Sequence, residues 1–164
     1  QLNSTMATKY PGLLTLDVTS FNKPPRVRVS LMPQEFSNVL EPKMSSILSR
    51  IHDINRLKDL GWEVHCNYSP LIFYPGWKDH YDDLFKQVKE IAGENKCEVI
   101  ALTNHKFQMI RSSDEARELM KYSSEVKNKS GVLRYPLSHK SRLLDEFKTI
   151  YSKYFDLKTI RYIF

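Results

Sequence analysis

Two strand-like stretches, separated by a helix-length segment, constrain the fold of this chain more than any other feature. The stretch at residues 26–32 reads RVRVSLM, and the stretch at residues 63–69 reads EVHCNYS. Successive side chains of a strand point to opposite faces of a sheet, so each stretch has a polar face and an apolar face. The polar faces carry Arg26, Arg28, Ser30, His65, Asn67 and Ser69. The apolar faces carry Val27, Val29, Leu31, Val64, Cys66 and Tyr68.

The connection between these stretches favours a parallel sheet with one polar face. Parallel strands need a long crossover connection, usually a helix, and a helix-length segment lies between these two stretches. Parallel strands that are buried on both faces are normally apolar throughout. A polar face therefore predicts a wall that lines a cavity, where a substrate or cofactor takes the place of an apolar core. The alternative is an antiparallel sheet with one face in water.

The rest of the chain repeats the order strand, helix, strand, helix, which is typical of an α/β fold. The predicted elements are strands at residues 5–9, 26–32, 63–69, 97–103 and 159–164, helices from Ser45 or Ser46 to Gly61, between Gly76 and Gly93, from Ser112 and from Ser138 or Ser141, and a turn or hairpin at Gly131. An irregular or briefly helical link is expected at residues 11–22. No break in composition divides residues 1–164, so we expect a single domain.

Composition excludes several classes of protein. Of the 164 residues, 41% are hydrophobic and 27% are charged, which is typical of a folded protein. No apolar run approaches the roughly 20 residues that a membrane span needs, and the first residues show no signal-peptide pattern. Two cysteines, Cys66 and Cys97, are too few for a disulfide framework. We therefore expect a cytoplasmic protein with reduced, buried thiols and no membrane partner.

Positive charge is concentrated in one segment of the chain. The net charge of +6 and the pI near 9.2 favour a polyanionic partner, although solvated surface charge is the alternative. Residues 121–142 contain one acid, Glu125, against six lysines and arginines. Tyr122 and Tyr135 are interleaved, and aromatic rings stack on bases while cations contact phosphates. Residues 121–142 are therefore predicted to contain a basic, DNA-contacting hairpin.

The common sequence motifs for nucleotide binding, metal binding and hydrolysis are absent. The chain has no GxGxxG, GxxxxGK[ST], HExxH or GxSxG sequence and no CxxC pair, and its histidines lack the spacing of metal ligands. His65 lies on the polar strand face, where we expect it to form a hydrogen bond within the wall rather than to bind metal or act as a base. Cys66 lies on the opposite face, which argues against a Cys–His pair. We therefore predict no catalytic residue and no metal site in this chain.

Four stretches occur in an order that resembles a known family. They are RVRVSLMPQEFSNVLEP, LKDLGWEVHCNYSPLIFYPGW, YDDLFKQV and SGVLRYPLSHKSRLLDEFKTIYSKYFDLKTIRYIF. Together they are similar to the C-terminal part of the spore photoproduct lyase family of radical S-adenosylmethionine enzymes, whose characterised members revert a thymine-dimer lesion in spore DNA. The resemblance implies a role in DNA repair as a lyase. It also implies an incomplete TIM barrel, whose open end holds S-adenosylmethionine and a 4Fe–4S cluster.

The resemblance also implies roles for individual residues. Lys9 and Ser30 match a lysine and a serine that help to hold S-adenosylmethionine, where the cation meets its carboxylate and the hydroxyl forms a hydrogen bond. Lys129, Arg134 and Tyr135, with Lys140 close by, match the hairpin that recognises the lesion in DNA.

One position in that hairpin differs from the characterised lyases. Ser130 stands where those lyases carry an aromatic residue. The difference leaves Leu133 and Tyr135 as the predicted wedge residues.

A second departure concerns the iron–sulfur cluster. Radical S-adenosylmethionine enzymes bind the cluster through a CxxxCxxC motif, whereas this chain has two cysteines with thirty residues between them. We therefore expect that the chain alone binds no cluster and is the C-terminal part of a longer enzyme, whose N-terminal portion is a further partner. Enzyme activity then depends on a CxxxCxxC motif outside these residues. The alternative is a truncated relative that acts as a non-catalytic nucleic-acid-binding module.

Overall fold

The computed structural model describes residues 5–9, 11–101, 114–115, 118, 126–127, 133–134 and 136–163. These residues form an α/β fold with a five-stranded sheet and a separate two-stranded sheet. The strands are β1 (Thr5–Thr8), β2 (Arg26–Leu31), β3 (Val64–Leu71), β4 (Cys97–Ala101), β5 (Val126–Lys127), β6 (Leu133–Arg134) and β7 (Ile160–Ile163). Within this described part of the chain, no helix is both long enough and apolar enough to cross a membrane.

The large sheet is parallel throughout. Its strands are arranged in the order β1-β2-β3-β4-β7, and all four pairings between neighbours are parallel. The antiparallel alternative is therefore wrong, and the helices Ile47–Asp59, between β2 and β3, and Trp77–Ala92, between β3 and β4, provide the crossovers that parallel neighbours need. In the small sheet, β5 and β6 pair antiparallel on either side of the predicted turn.

In the described ranges, four α-helices have defined bounds. They are α1 (Gln34–Leu40), α2 (Ile47–Asp59), α3 (Trp77–Ala92) and α4 (Leu137–Tyr151). Short 3₁₀ turns at Pro11–Thr15 and Val18–Ser20 form the irregular link before β2, and a third turn, Leu157–Thr159, precedes β7.

The sequence signals at the ends of α2 and α3 are confirmed. The Ser46 hydroxyl accepts a hydrogen bond from the Ser49 amide at 3.2 Å, which caps the first turn of α2. Gly61 follows α2 with φ +90° and Gly93 ends α3 with φ +66°, a backbone conformation that favours glycine. Local chemistry therefore sets the length of both helices.

Two helices differ from the prediction. The sequence analysis did not predict α1, since its seven residues are too short to show a helical period, although Phe36 in it is buried. The helix α4 begins at Leu137, directly after Pro136, so the predicted caps Ser138 and Ser141 lie inside the helix. Proline fixes the backbone ahead of the first turn without needing a side-chain cap, and this signal prevailed over the serines.

Other predicted features fall partly outside the described residues. The strand predicted at 97–103 is described only as far as Ala101, and the helix predicted from Ser112 is described only at residues 114–115 and 118.

The helix-facing side of the large sheet is apolar. Its buried residues form one core with the inner faces of α2, α3 and α4. The other side of the sheet carries polar residues.

Candidate functional site

The polar side chains predicted on β2 and β3 extend across the sheet as a row. Ser30 of β2 pairs in register with Asn67 of β3, Asn67 pairs with Glu98 of β4, and Glu98 pairs with Tyr162 of β7. Paired residues on neighbouring strands point to the same face. Ser30, Asn67 and Glu98 are all buried. The structure therefore adds Glu98 and Tyr162 to the polar wall, and we call these four residues the polar row.

Hydrogen bonds fix the orientation of the side chains in the polar row. The Asn67 amide nitrogen donates to the Ser30 hydroxyl at 3.3 Å. Glu98 Oε1 lies 3.0 Å from His65 Nδ1 and 3.4 Å from Arg161 Nη1. His65 thus forms the hydrogen bond within the wall that the sequence predicted, and its partner is a carboxylate.

Two arginines of β2, Arg26 and Arg28, lie at the amino-terminal half of this face. Glu63 Oε1 contacts both Arg26 Nε at 2.9 Å and His65 Nε2 at 3.1 Å. The hydrogen bond from Arg26, with a smaller contribution from His65, holds the pKa of Glu63 below its ordinary value. Arg28 Nη1 donates to the Tyr162 hydroxyl at 2.9 Å, which joins β2 to β7 over the two strands between them.

Three buried atoms on this face have no hydrogen-bond partner in the structure as described. They are Arg28 Nε, Asn67 Oδ1 and Glu98 Oε2. Buried polar groups in native proteins are nearly always paired, and each exception needs an explanation such as a ligand or an ordered water. Among the described residues, this face therefore carries one buried donor and two buried acceptors without a protein partner.

Lys9 and Ser30, the residues predicted to hold S-adenosylmethionine, are linked through two further side chains. Lys9 follows β1 directly, and its ammonium group forms an ion pair with Oε1 of Glu41. The other carboxylate oxygen of Glu41 lies 2.8 Å from Arg50 Nη1, which also donates to the Ser30 carbonyl at 3.2 Å. The Glu41–Arg50 pair therefore connects the two predicted residues.

Arg50 is the hub of this connection. Its side chain is 1% exposed, and it also donates to the Ser45 carbonyl at 2.9 Å and to the Ser37 hydroxyl at 3.3 Å. The sequence analysis missed Arg50 and Glu41. A usable signal was present, because Arg50 lies three residues after Ile47 and one before Ile51, on the apolar stripe of α2.

The structure describes only part of the predicted DNA-contacting hairpin. Arg134 lies on β6, where it pairs in register with Val126 of β5, and Lys140 lies near the start of α4 and is partly exposed. Lys129 and Tyr135 lie outside the described residues. The backbone thus places Arg134 on an antiparallel strand pair, and the contacts of the hairpin remain a prediction.

The two cysteines lie on the side of the sheet away from the polar row. Cys66 and Cys97 pair in register on β3 and β4, and both belong to the apolar core. Burial raises the pKa of each thiol from 9 to about 12, so both stay protonated at neutral pH. Cluster ligands are thiolates, and these two buried thiols do not fit an iron–sulfur cluster.

Comparison with known proteins identifies the family of the chain. The family model described as spore photoproduct lyase matches residues 3–162. A spore photoproduct lyase from Clostridium acetobutylicum is 24% identical over 100 residues, which cover 61% of this chain and 30% of the relative.

Solved structures of spore photoproduct lyase share the fold. A lyase complexed with dinucleoside spore photoproduct superimposes with a TM-score of 0.75 at 18% identity, covering 97% of this chain and 49% of that one. A variant with bound AdoMet and dinucleoside spore photoproduct gives a TM-score of 0.71 at 16% identity, with the same coverage. The chain thus spans about half the length of these lyases. Since the family model matches almost every residue, the chain belongs to the spore photoproduct lyase family.

Proposed function

We propose that this chain supplies part of the S-adenosylmethionine pocket and a DNA-binding hairpin to a radical enzyme that acts on a lesion in DNA. The observation that carries the proposal is the polar face of the sheet, where Asn67 and Glu98 each carry a buried acceptor, and Arg28 a buried donor, without a partner among the described residues. A structural neighbour with bound AdoMet and dinucleoside spore photoproduct supports both ligands. In this proposal the parallel sheet is part of an incomplete TIM barrel, and the polar row lines its inside.

Lys9 and Ser30 are the residues that hold the cofactor in this proposal. The Lys9 ammonium, 35% exposed, pairs with the cofactor carboxylate while Glu41 fixes its position from the other side. The Ser30 hydroxyl accepts a hydrogen bond from Asn67, so its own proton is directed elsewhere and is available to donate. When bound and reduced, the cofactor supplies the radical that abstracts hydrogen from the substrate. The cluster that reduces it is assigned to residues outside this chain.

The hairpin holds the DNA in this proposal. Lys129, Arg134 and Lys140 neutralise phosphates, and Tyr135 replaces the stacking that a base loses when it leaves the duplex. The net charge of +6 and the antiparallel pairing of β5 with β6 support this role.

The burial and protonation of the two cysteines favour a second candidate function. Because both thiols are buried and protonated, the described residues bring no cluster ligand. The alternative is a non-catalytic nucleic-acid-binding module that uses the same hairpin. Binding of S-adenosylmethionine distinguishes the two candidates. The radical enzyme binds the cofactor, whereas a module that only binds DNA does not.

The cofactor half of the proposal is tested by calorimetric titration of the chain with S-adenosylmethionine. We expect Lys9→Ala to weaken binding by about 10-fold to 100-fold, the usual effect of losing a charged hydrogen bond, and Ser30→Ala to weaken it less. Lys96→Ala is the matched control, because Lys96 is exposed and precedes β4, whereas Lys9 follows β1, so the two lysines lie at opposite ends of the parallel strands. Equal affinity in Lys9→Ala and Lys96→Ala would contradict the assigned pocket.

The DNA half is tested by measuring affinity for short duplexes, with and without a distorted thymine step, as a function of salt. Arg134→Ala should lower the slope of log affinity against log salt by about one, because one phosphate contact is lost. Tyr135→Ala should cost about 1–3 kcal/mol with an unchanged slope, since stacking involves no counterion. Lys86→Ala, on the exposed face of α3, is the control. Losses of affinity of equal size in all three variants would mean that DNA binding depends on the overall positive charge of the chain and not on the hairpin.

A further inference from the structure

We propose that a cleft among α1, α2 and α3 binds a small aliphatic diamine, whose two ammonium groups pair with the carboxylates of Glu35 and Asp83. The cleft has a volume of about 270 Å³, which is enough for a ligand of a few carbon atoms. It lies on the helix side of the sheet, whereas the polar row lies on the other side. Binding of a ligand in this cleft therefore does not depend on the proposed function.

The cleft has an apolar floor. Ile47 and Leu84, which are 2% and 3% exposed, line the cleft and belong to the apolar core, and Pro33 in the lining is also buried. Leu48 lines the cleft too but is 48% exposed, so it lies at the rim. The methylene groups of a ligand are removed from water when they contact this surface, which favours binding.

The charged groups that line the cleft are acidic. Glu35 lies in the first turn of α1 and Asp83 lies on α3, and both side chains are exposed. Among the described residues that line the cleft there is no lysine or arginine, although the chain has 25 of these against 19 acids. The helix dipole accounts for an acid in a first turn, such as Glu35, but not for Asp83 further along α3. The cleft is therefore an acidic place on a basic protein, which favours a cationic ligand.

The two carboxylates belong to different helices and both lie near His80. Glu35 Oε2 lies 3.8 Å from His80 Nδ1. Asp83 follows His80 by three residues on α3, so their β-carbons are about 5–6 Å apart on one face of the helix. Two ammonium groups joined by a few methylene groups match this arrangement of two acids above an apolar floor.

The lining of the cleft distinguishes an organic cation from a metal ion. Within the described part of the chain, no group of three or more histidine, cysteine, aspartate or glutamate side chains could hold a metal ion. Hard divalent cations take several oxygen ligands and keep water around them, so they gain nothing from an apolar floor.

Hydrogen bonds hold the walls of the cleft in place. Gln34 Oε1 accepts a hydrogen bond from the Ile47 amide at 2.7 Å, which ties α1 to the start of α2. The other end of this side chain, Nε2, donates to Asn38 Oδ1 at 2.6 Å. The Tyr74 hydroxyl lies 2.6 Å from His80 Nδ1 and holds the imidazole ring. A cleft with fixed walls loses little freedom when a ligand binds.

The test is an NMR titration of the chain with 1,4-diaminobutane at constant ionic strength. We expect changes in the amide signals of residues 34–35, 47–48 and 80–87, with a dissociation constant on the order of 1 mM, because exposed ion pairs are individually weak. Butylamine has the same carbon chain and one ammonium group, so it should bind about 2-fold to 5-fold more weakly. The lysine derivative Nα-acetyl-lysine-methylamide represents a lysine side chain of another protein, and it should bind no more tightly than butylamine.

Charge-removing variants assign the effect to the two acids. Glu35→Gln and Asp83→Asn keep the size of each side chain, and each should weaken binding of the diamine about 2-fold to 5-fold. The double variant should bind the diamine no more tightly than the unmodified chain binds butylamine. Glu90→Gln is the matched control, because Glu90 is an exposed acid of α3 that does not line the cleft.

A charge-adding variant tests the rim. Leu48→Lys places a cation at the mouth of the cleft and should weaken binding of the diamine more than either neutral substitution does, since like charges repel. Leu60→Lys is its matched control, because Leu60 is a leucine at the other end of α2 with a similar exposure of 41%. If a variant fails to fold, the comparison of the amines on the unmodified chain still decides the result.

Three outcomes overturn the proposal. Equal affinities for the diamine and butylamine would mean that the cleft takes one ammonium group, as a lysine side chain of another protein would supply. Signal changes of equal size at acids outside the cleft would mean that the diamine acts only as a diffuse counterion. Equal affinities of the Leu48→Lys and Leu60→Lys variants would mean that the diamine binds elsewhere.

Discussion

Replacing Phe85 with alanine is expected to lower the free energy of unfolding by about 3–5 kcal/mol. Phe85 is 0% exposed and lies at the centre of an aromatic cluster between β3, α3 and α4. Its ring centroid lies 5.1 Å from that of Tyr68 and 5.2 Å from those of Phe147 and Tyr151, in edge-to-face geometry. Truncation removes these contacts and leaves a cavity that rigid neighbouring rings cannot fill. Urea denaturation followed by circular dichroism measures the loss.

Phe21→Ala provides the control for Phe85→Ala. The same chemical change is made at a ring that is 40% exposed and contacts Trp62 at a centroid distance of 5.6 Å. We expect a loss of about 1 kcal/mol there, because less area is removed from the core. Similar losses at the two positions would show that the aromatic cluster does not hold the helices on the sheet.

Arg50→Met is expected to lower the free energy of unfolding by up to about 3–5 kcal/mol, the usual cost of breaking a buried ion pair by removing one partner. The substitution leaves the Glu41 carboxylate, 6% exposed, with Lys9 as its remaining cation. It also removes the donor to the Ser30 and Ser45 carbonyls. Chemical denaturation of the variant and the unmodified chain at neutral pH gives the difference directly.

A second variant shows whether charge or packing causes the loss in Arg50→Met. The double variant Glu41→Gln/Arg50→Met removes both charges, so it should be more stable than Arg50→Met alone. Arg56→Met, on the same helix but with a side chain that is 65% exposed, should cost at most about 1 kcal/mol. Equal stability of the single and double variants would indicate that Arg50 acts through packing and carbonyl contacts alone.

Much of the fold could be predicted because local chemistry decided it. Ser46, Gly61 and Gly93 set helix ends through their own side chain or backbone, and the alternation in β2 and β3 sets which face is polar. The start of α4 was predicted too late in the chain, because Ser138 and Ser141 are suitable caps, whereas the helix begins after Pro136, whose fixed φ suits the position before the first turn.

The candidate site was less predictable because its contacts join distant parts of the chain. The Asn67–Glu98 pairing depends on the register of two strands, and no local pattern in an apolar strand marks Glu98 as part of a polar wall. Arg50 meets Glu41 and Ser30 only after α2 has packed on the sheet. The residues taken from the family resemblance, Lys9 and Ser30, lie on one connected network, while the roles of the hairpin residues still await the DNA measurement.

The bond between Arg28 and Tyr162 has a consequence for the order of folding, since these residues are 134 positions apart in the chain. The strands β1 to β4 are neighbours in the sheet in the same order as in the sequence, so they can assemble one after another as synthesis proceeds. The strand β7 joins only when residues 160–163 have been made. Until then Glu98 lacks Arg161 and Arg28 lacks Tyr162, so a nascent chain carries an incomplete polar wall beside an open strand edge. The interval before the final strand docks is therefore the period in which this chain is most exposed to misassembly.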